Sequence, residues 1–305
     1  MTSERIQVEI DGQLCTGCGL CVEVCPTQSL SVIDGKAALI GPASIACGHC
    51  EAACPEGAIR VPALGEDMAR FRTFSGDARW LPHGKCDVAG LVRLMASRRS
   101  CRNYSDRGVD RALLEDLAKI GTTAPSGTNS QRWTFTILPT RSAVQALGSL
   151  IASFFGRLNA AAKNPFLKTF LKLIGKGELD AYYRSYYPQV RQALEEWEES
   201  GRDRLFHGAT AAIVVGSRPG ASCPVEDALL ATQNILLAAH SIGLGSCLIG
   251  YAVAAMKKDR TIQRAMGVPD EEEVYAVIAL GYPDESYQTV ARRKTIKPRY
   301  FEGLS

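Results

Sequence analysis

Cys15-Thr16-Gly17-Cys18-Gly19-Leu20-Cys21-Val22-Glu23-Val24-Cys25-Pro26 sets the architecture of the N-terminal part of this chain. Its spacing is C-x2-C-x2-C-x3-C-P. Soft thiolates suit iron-sulfur clusters, and three at this spacing wrap one cubane while the thiolate before the proline turn reaches another. The stretch recurs with a shift of 29 residues: Cys18 maps to Cys47, Cys21 to Cys50, Cys25 to Cys54 and Pro26 to Pro55. The same shift carries Cys15 onto Ser44, so the second copy, Ser44-Ile45-Ala46-Cys47-Gly48-His49-Cys50-Glu51-Ala52-Ala53-Cys54-Pro55, lacks one thiol. Seven of the eleven cysteines lie between Cys15 and Cys54. An odd total at tight spacing fits metal ligation; a disulfide framework needs an oxidising compartment, and a structural zinc needs only four ligands.

Composition bounds the rest. With 46% apolar residues, 22% charged residues and a formal net charge of +3 over 305 residues, the chain is globular and nucleic acid is not an implied partner. The length suits one small and one ordinary domain. The opening residues show no basic segment followed by an apolar one, and apolar runs such as 147–155 are shorter than the roughly 20 residues that cross a bilayer. A cytoplasmic protein without a membrane partner is therefore expected.

The cysteine-rich segment resembles the two-cluster bacterial ferredoxins, in which the fourth cysteine of each motif serves the other motif's cluster. That resemblance implies one 4Fe-4S cluster on Cys15, Cys18, Cys21 and Cys54, and a second on Cys25, Cys47 and Cys50. Ser44, water, the loss of one iron or a cysteine from elsewhere, such as Cys86, would fill the gap, unless the second site is empty. Gly17 and Gly48 keep backbone close to the sulfides, and His49 either tunes the second cluster or is an exposed loop residue. Strand-like stretches at 6–10, 30–33 and 58–61 complete a domain over 1–64.

Residues 65–87, with Gly76, Pro82 and Gly84, read as an ordered connector. A helix pattern then runs over 88–97 and leads into Arg98-Arg99-Ser100-Cys101-Arg102; a second, near 110–120, leads into Ala124-Pro125-Ser126-Gly127-Thr128-Asn129-Ser130-Gln131-Arg132-Trp133. These blocks resemble the nitroreductase family. Gln233-Asn234, Gly243-Leu244-Gly245-Ser246-Cys247-Leu248-Ile249-Gly250, Gly281-Tyr282-Pro283 and Arg292-Arg293-Lys294 agree with it. The resemblance implies an α+β protein: a ferredoxin-like 2[4Fe-4S] domain, then a three-layer α/β/α domain over 88–305 with a central mixed sheet and a helical insertion at 141–201. It also implies FMN at the interface of a homodimer.

A phosphate monoester is best met by guanidinium forks and hydroxyls, which Arg98, Arg99, Ser100, Arg102, Arg292 and Arg293 supply; a basic surface patch is the competing account. Asn129 offers a donor and an acceptor to the isoalloxazine edge, and Pro125, Ser126 and Gly127 leave room for backbone approach, although a plain turn explains them too. Around Ile249 and Gly250 the resemblance implies a backbone amide near flavin N5. Gly243 to Gly250 is not a G-x-G-x-x-G fingerprint and follows a helix, so a Rossmann domain is not expected. Cys101, Cys223 and Cys247 read as small buried hydrophobes. The basic, amphipathic stretch 164–174 reads as a lid or dimer-contact helix ahead of a membrane-surface one, and Tyr182, Tyr183, Tyr186 and Tyr187 either wall a pocket or pack helices.

The expected function is an FMN-dependent oxidoreductase with no catalytic side chain, the chemistry residing at flavin N5. Electrons pass from the clusters to FMN and on to a small nitroaromatic, quinone or enone-like substrate. The donor is an external ferredoxin or flavodoxin, or NAD(P)H. The alternatives are an ordinary NAD(P)H-dependent nitroreductase or quinone reductase, and an electron-transfer partner without its own substrate.

Overall fold

A computed structural model describes residues 8–41, 44–65, 68–166 and 178–303. The cysteine-rich domain is built from two copies of one unit. The first carries helix α1 (Leu20–Glu23) and the hairpin β2 (Leu30–Ile33) and β3 (Lys36–Leu39); the second carries α2 (His49–Ala53). Short strands β1 (Glu9–Ile10) and β4 (Ile59–Arg60) pair antiparallel and join the two ends. The β2–β3 turn is Asp34-Gly35, both at positive φ (50° and 75°), the chemistry that a two-residue hairpin demands. The core is small: Leu30, Ala58, Ile59 and Val61 pack against the buried cysteines Cys15, Cys21 and Cys50.

The connector is tied to the second domain by Asp116, whose buried carboxylate accepts hydrogen bonds from the Arg72 and Thr73 amides (2.9 and 2.8 Å) and from the Thr73 hydroxyl (2.6 Å). Helices α3 (Val88–Ser97) and α4 (Arg111–Gly121) start at aspartates, Asp87 and Asp110, that accept from backbone amides two residues on. The central sheet runs β5 (Trp133–Leu138), β6 (Ala211–Ser217), β8 (Glu273–Gly281), β7 (Gly245–Leu248), all antiparallel. Its parallel component is the single bridge between Ser100 and Ser246 on the outer edge of β7.

Strand β6 is buried along its whole length because both sheet faces are covered. Ala211, Ile213 and Val215 enter one core with Leu114 and Leu117 of α4 and Ile235 of α8 (Pro224–Ser241). Ala212 and Val214 enter the other, with Leu147 and Ile151 of α5 (Arg141–Lys163), Met256 of α9 (Gly250–Lys258) and Ile262 of α10 (Arg260–Ala265). This alternation makes a three-layer α/β/α domain. Within 141–201 the chain forms α5, α6 (Glu178–Ser185) and α7 (Tyr187–Ser200). The amphipathic stretch expected at 164–174 lies, from residue 167 on, outside the described residues. Among the described residues, no helix is long and apolar enough to cross a membrane.

Candidate cluster and cofactor sites

Two cavities in the first domain are each ringed by thiols from both motifs. Cys15, Cys18, Cys21 and Cys54 line one. Cys25, Cys47, Cys50 and Ser44 line the other, with His49 at its wall. The exchange of Cys25 and Cys54 follows from the repeat. Helices α1 and α2 start after left-handed glycines, Gly19 (φ 81°) and Gly48 (φ 74°), and each carries its motif's third thiol, Cys21 or Cys50; the thiol past its end, Cys25 or Cys54, falls on the opposite side. Amides reach the sulfurs in the same symmetric way: Ser29 donates to Cys25 Sγ (3.4 Å), and Ala58 to Cys54 Sγ (3.2 Å). The Ala37 amide donates to Cys15 Sγ at 3.3 Å and, with Gly17, holds that thiol below its ordinary pKa. At Cys25 burial pushes upward, but the Thr27 hydroxyl and nearby amides outweigh it, and the net shift is downward. Burial pushes Cys21 and Cys50 up.

Seven thiols and one hydroxyl around two cavities are a donor set that fits two iron-sulfur clusters. Ser44, which stands where the first motif has Cys15, lines the second cavity, and its Oγ accepts from the Ala46 amide (3.2 Å). Cys86 is exposed and lines neither cavity.

In the second domain, Arg98, Arg99, Ser100 and Arg102 leave the end of α3 and run along β7, where the Cys101 amide donates to the Ser246 carbonyl (3.0 Å). Arg98 is half-buried. Burial first, then the like charges of Arg99 and Arg293, pulls its pKa below the usual guanidinium value. Cations crowded together in this way suit a dianionic group such as a phosphate monoester. Arg292 is exposed on the C-terminal arm. Cys101 and Cys247 are buried, their thiols pushed up by burial, Cys101 to about 11, as expected of small packing residues. Cys223 departs from that expectation: it is exposed, because it sits at the start of α8 instead of inside the core.

Next to these cations opens a cavity of about 1240 Å³ lined by Arg102, Ile249, Gly250, Tyr182, Tyr186 and Tyr251, among others. Tyr182 stacks on Tyr186 (6.3 Å between centroids), and Tyr251 meets Tyr186 edge-on (6.4 Å). Tyr187 is buried and pairs with Tyr183, so the four tyrosines divide between pocket wall and helix packing. His207 also lines this cavity, a residue that sequence reasoning missed. It takes a left-handed backbone (φ 59°) in a turn organised by Asp203, whose carboxylate accepts from the amides of Leu205 (3.0 Å) and Phe206 (2.7 Å) and from Arg141 Nη1 (2.7 Å). Burial, then the charge of Arg102, lowers its pKa. A non-glycine residue held in this conformation beside a large cavity is what functional sites often show.

Pro125, Ser126, Gly127 and Asn129 do not join this group. They precede β5, at the sheet edge opposite β7, three strand spacings or roughly 14 Å away. Gly127 donates to Asp227 Oδ1 (2.9 Å), and a Cβ there would stand 2.9 Å from Cys223 Sγ, so a larger residue needs Cys223 to shift. The Gln131 amide donates to Ser126 Oγ (3.1 Å). Asn129 turns its side-chain amide to the first domain, donating from Nδ2 to the carbonyls of Ile45 (3.0 Å) and Ala46 (2.9 Å).

Two thiol-ringed cavities joined to a three-layer module with a cluster of arginines and a large cavity have the donor chemistry of a redox protein. The chain belongs to the nitroreductase family, whose model matches residues 95–282, and the 4Fe-4S binding domain model matches residues 8–31. It is thus a nitroreductase-family oxidoreductase with a 4Fe-4S ferredoxin domain. An Archaeoglobus fulgidus protein whose name pairs NADH dehydrogenase with NAD(P)H nitroreductase is 26% identical over 199 residues, covering 64% of this chain and 86% of that protein. A ferredoxin of Thermococcus litoralis is 42% identical over 59 residues, 18% of this chain and 98% of the ferredoxin. A nitroreductase with bound FMN from Desulfitobacterium hafniense shares the fold (TM-score 0.50, 22% identity), covering 69% of this chain and 97% of that one.

Proposed function

We propose that this chain is an iron-sulfur flavoprotein that takes up single electrons at its cysteine-rich domain and passes them in pairs, through FMN, to a small electrophilic substrate. The observation that carries this reading is the presence, in one chain, of two thiol-ringed cavities and a large pocket with Arg102, Ile249 and Gly250 in its wall. When bound, the clusters supply one-electron chemistry and FMN converts it to two-electron reduction at N5.

The residues divide the work. Cys15, Cys18, Cys21 and Cys54 hold one cluster, and Cys25, Cys47 and Cys50, with Ser44 facing the same cavity, hold the other. Arg98, Arg99, Ser100 and Arg293 bind the FMN phosphate, with Arg292 close by in sequence, while Arg102 and the backbone of Ile249 and Gly250 meet the ring. Pro125 to Gly127 belong to the opposite sheet edge, so a complete flavin site takes that loop from a second copy of the chain. A homodimer is supported independently by unpartnered apolar surface: Val88 and Val92 on α3, Leu229 and Leu230 on α8, and Ile296, Tyr300 and Phe301 on the extended C-terminal arm are all exposed. The tyrosine wall of the cavity suits a flat substrate, and Arg102 and His207 beside it suit an electron-rich oxygen such as that of a nitro group, quinone or enone.

Anaerobic stopped-flow absorbance tests the electron donor. Rapid bleaching of the flavin band by reduced ferredoxin or flavodoxin and slow bleaching by NAD(P)H support this reading; the reverse order makes the protein an ordinary NAD(P)H-dependent reductase.

A further inference from the structure

We infer that Asn129 is a positioning residue that clamps the second cysteine loop onto the nitroreductase domain, which makes the site of Cys25, Cys47 and Cys50 the one coupled to the flavin. The inference rests on the reading above, in which that site holds a cluster and the loop of Asn129 meets a flavin. Both hydrogens of the Asn129 amide are engaged, on Ile45 O (3.0 Å) and Ala46 O (2.9 Å). The Ala46 carbonyl belongs to the peptide unit whose nitrogen is that of Cys47. A continuous path of bonds therefore leads from the Cys47 sulfur, through that peptide and one hydrogen bond, into the loop Pro125 to Asn129.

Three features single out this contact. The residue that corresponds to Ala46 in the first motif is Gly17, which takes φ 73° freely; Ala46 takes φ 49° with a Cβ attached, a conformation costly for alanine that needs outside support. Asn129 is itself left-handed (φ 54°), which asparagine tolerates better than other side chains, and this bend aims its amide at the loop. Ser44 Oγ, at the wall of the same cavity, accepts from the Ala46 amide, so the strained residue is held from both sides. Among the described residues the first motif has no such clamp: Gly17 needs none, and Cys15 is held within its own domain by Ala37 and Lys36.

Two variants test this on the purified, cofactor-loaded protein. Asn129→Asp keeps size and left-handed tolerance but replaces the donors with oxygens facing two carbonyls; Asn129→Gly keeps the backbone and removes the amide. Hydrogen exchange read by mass spectrometry should show at least tenfold loss of protection over residues 44–50 and none over 15–21. Low-temperature EPR of the reduced protein should show one cluster signal shifted and the other unchanged. Unaltered protection over 44–50 together with unaltered EPR in both variants overturns the inference. Absence of a second cluster signal in the unmutated protein would count against the cluster reading alone, because exchange over 44–50 still decides whether Asn129 is a clamp.

Discussion

His207 stands in the wall of the large cavity, and no motif announces it. Its pKa lies below 6.5 through burial and the nearby Arg102 charge, so the folded chain prefers the neutral ring. The unfolded chain takes up a proton as pH falls through 6.5, and stability is therefore lost from there down to the depressed folded pKa, below which the loss levels off. Unfolding measured against pH should show this slope, and His207→Gln should remove it. Arg98 makes the matching case for charge. If it binds the FMN phosphate, Arg98→Ala should weaken FMN binding by 10-fold or more, the equivalent of about 1.5–3 kcal/mol for a charge-assisted pair, as read by flavin fluorescence titration. The grouping of the cysteines around two cavities was legible in the sequence because the motif is local and its spacing is short. His207 was not, because its relation to Arg102 and Gly250 is made by the tertiary fold; only its place between the helical insertion and a buried strand hinted at it.

Elements carry a second kind of information, the space that a turn leaves. A Cβ at Gly17 would stand 2.1 Å from the Gly35 carbonyl oxygen, at a φ of 73° that only glycine takes easily, whereas nothing lies within 4 Å of a Cβ at Gly12. Gly17→Ala should therefore distort the first cysteine loop and lower the iron content, and Gly12→Ala should leave it unchanged, both read by iron analysis. Asp116 fastens the connector to α4. Asp116→Ala should cost about 2–3 kcal/mol, since it leaves the Arg72 and Thr73 amides without their acceptor, measured by chemical denaturation. Helix α3 was read at its observed bounds, because an apolar period runs from an aspartate cap to the arginine block. Strand β3 was missed: Lys36-Ala37-Ala38-Leu39 has no β-branched residue, and it forms because Asp34-Gly35 folds it back on β2.

At the scale of the whole molecule, the two halves of the expected flavin site lie on opposite sheet edges, and Ile296, Tyr300 and Phe301 of the C-terminal arm are exposed. Ending the chain after Pro283 should leave a monomer that loses FMN on gel filtration, while the full chain remains a dimer with FMN bound. No sequence pattern reveals that Asn129 reaches Ile45, 84 residues away, because domain docking is set by surfaces and not by periodicity. The family blocks made the fold readable; the hydrogen bonds of the Asn129 amide to Ile45 and Ala46 lay beyond them.

The most direct test of the central claim, an iron-sulfur relay built into a flavin reductase, is the iron, sulfide and FMN content per chain after anaerobic purification, with EPR of the dithionite-reduced protein. The account predicts one FMN and about eight irons with about eight sulfides, in two magnetically interacting clusters. About four irons would restrict the relay to the site of Cys15, Cys18, Cys21 and Cys54, and a preparation without flavin, or with zinc in place of iron, would contradict the account outright.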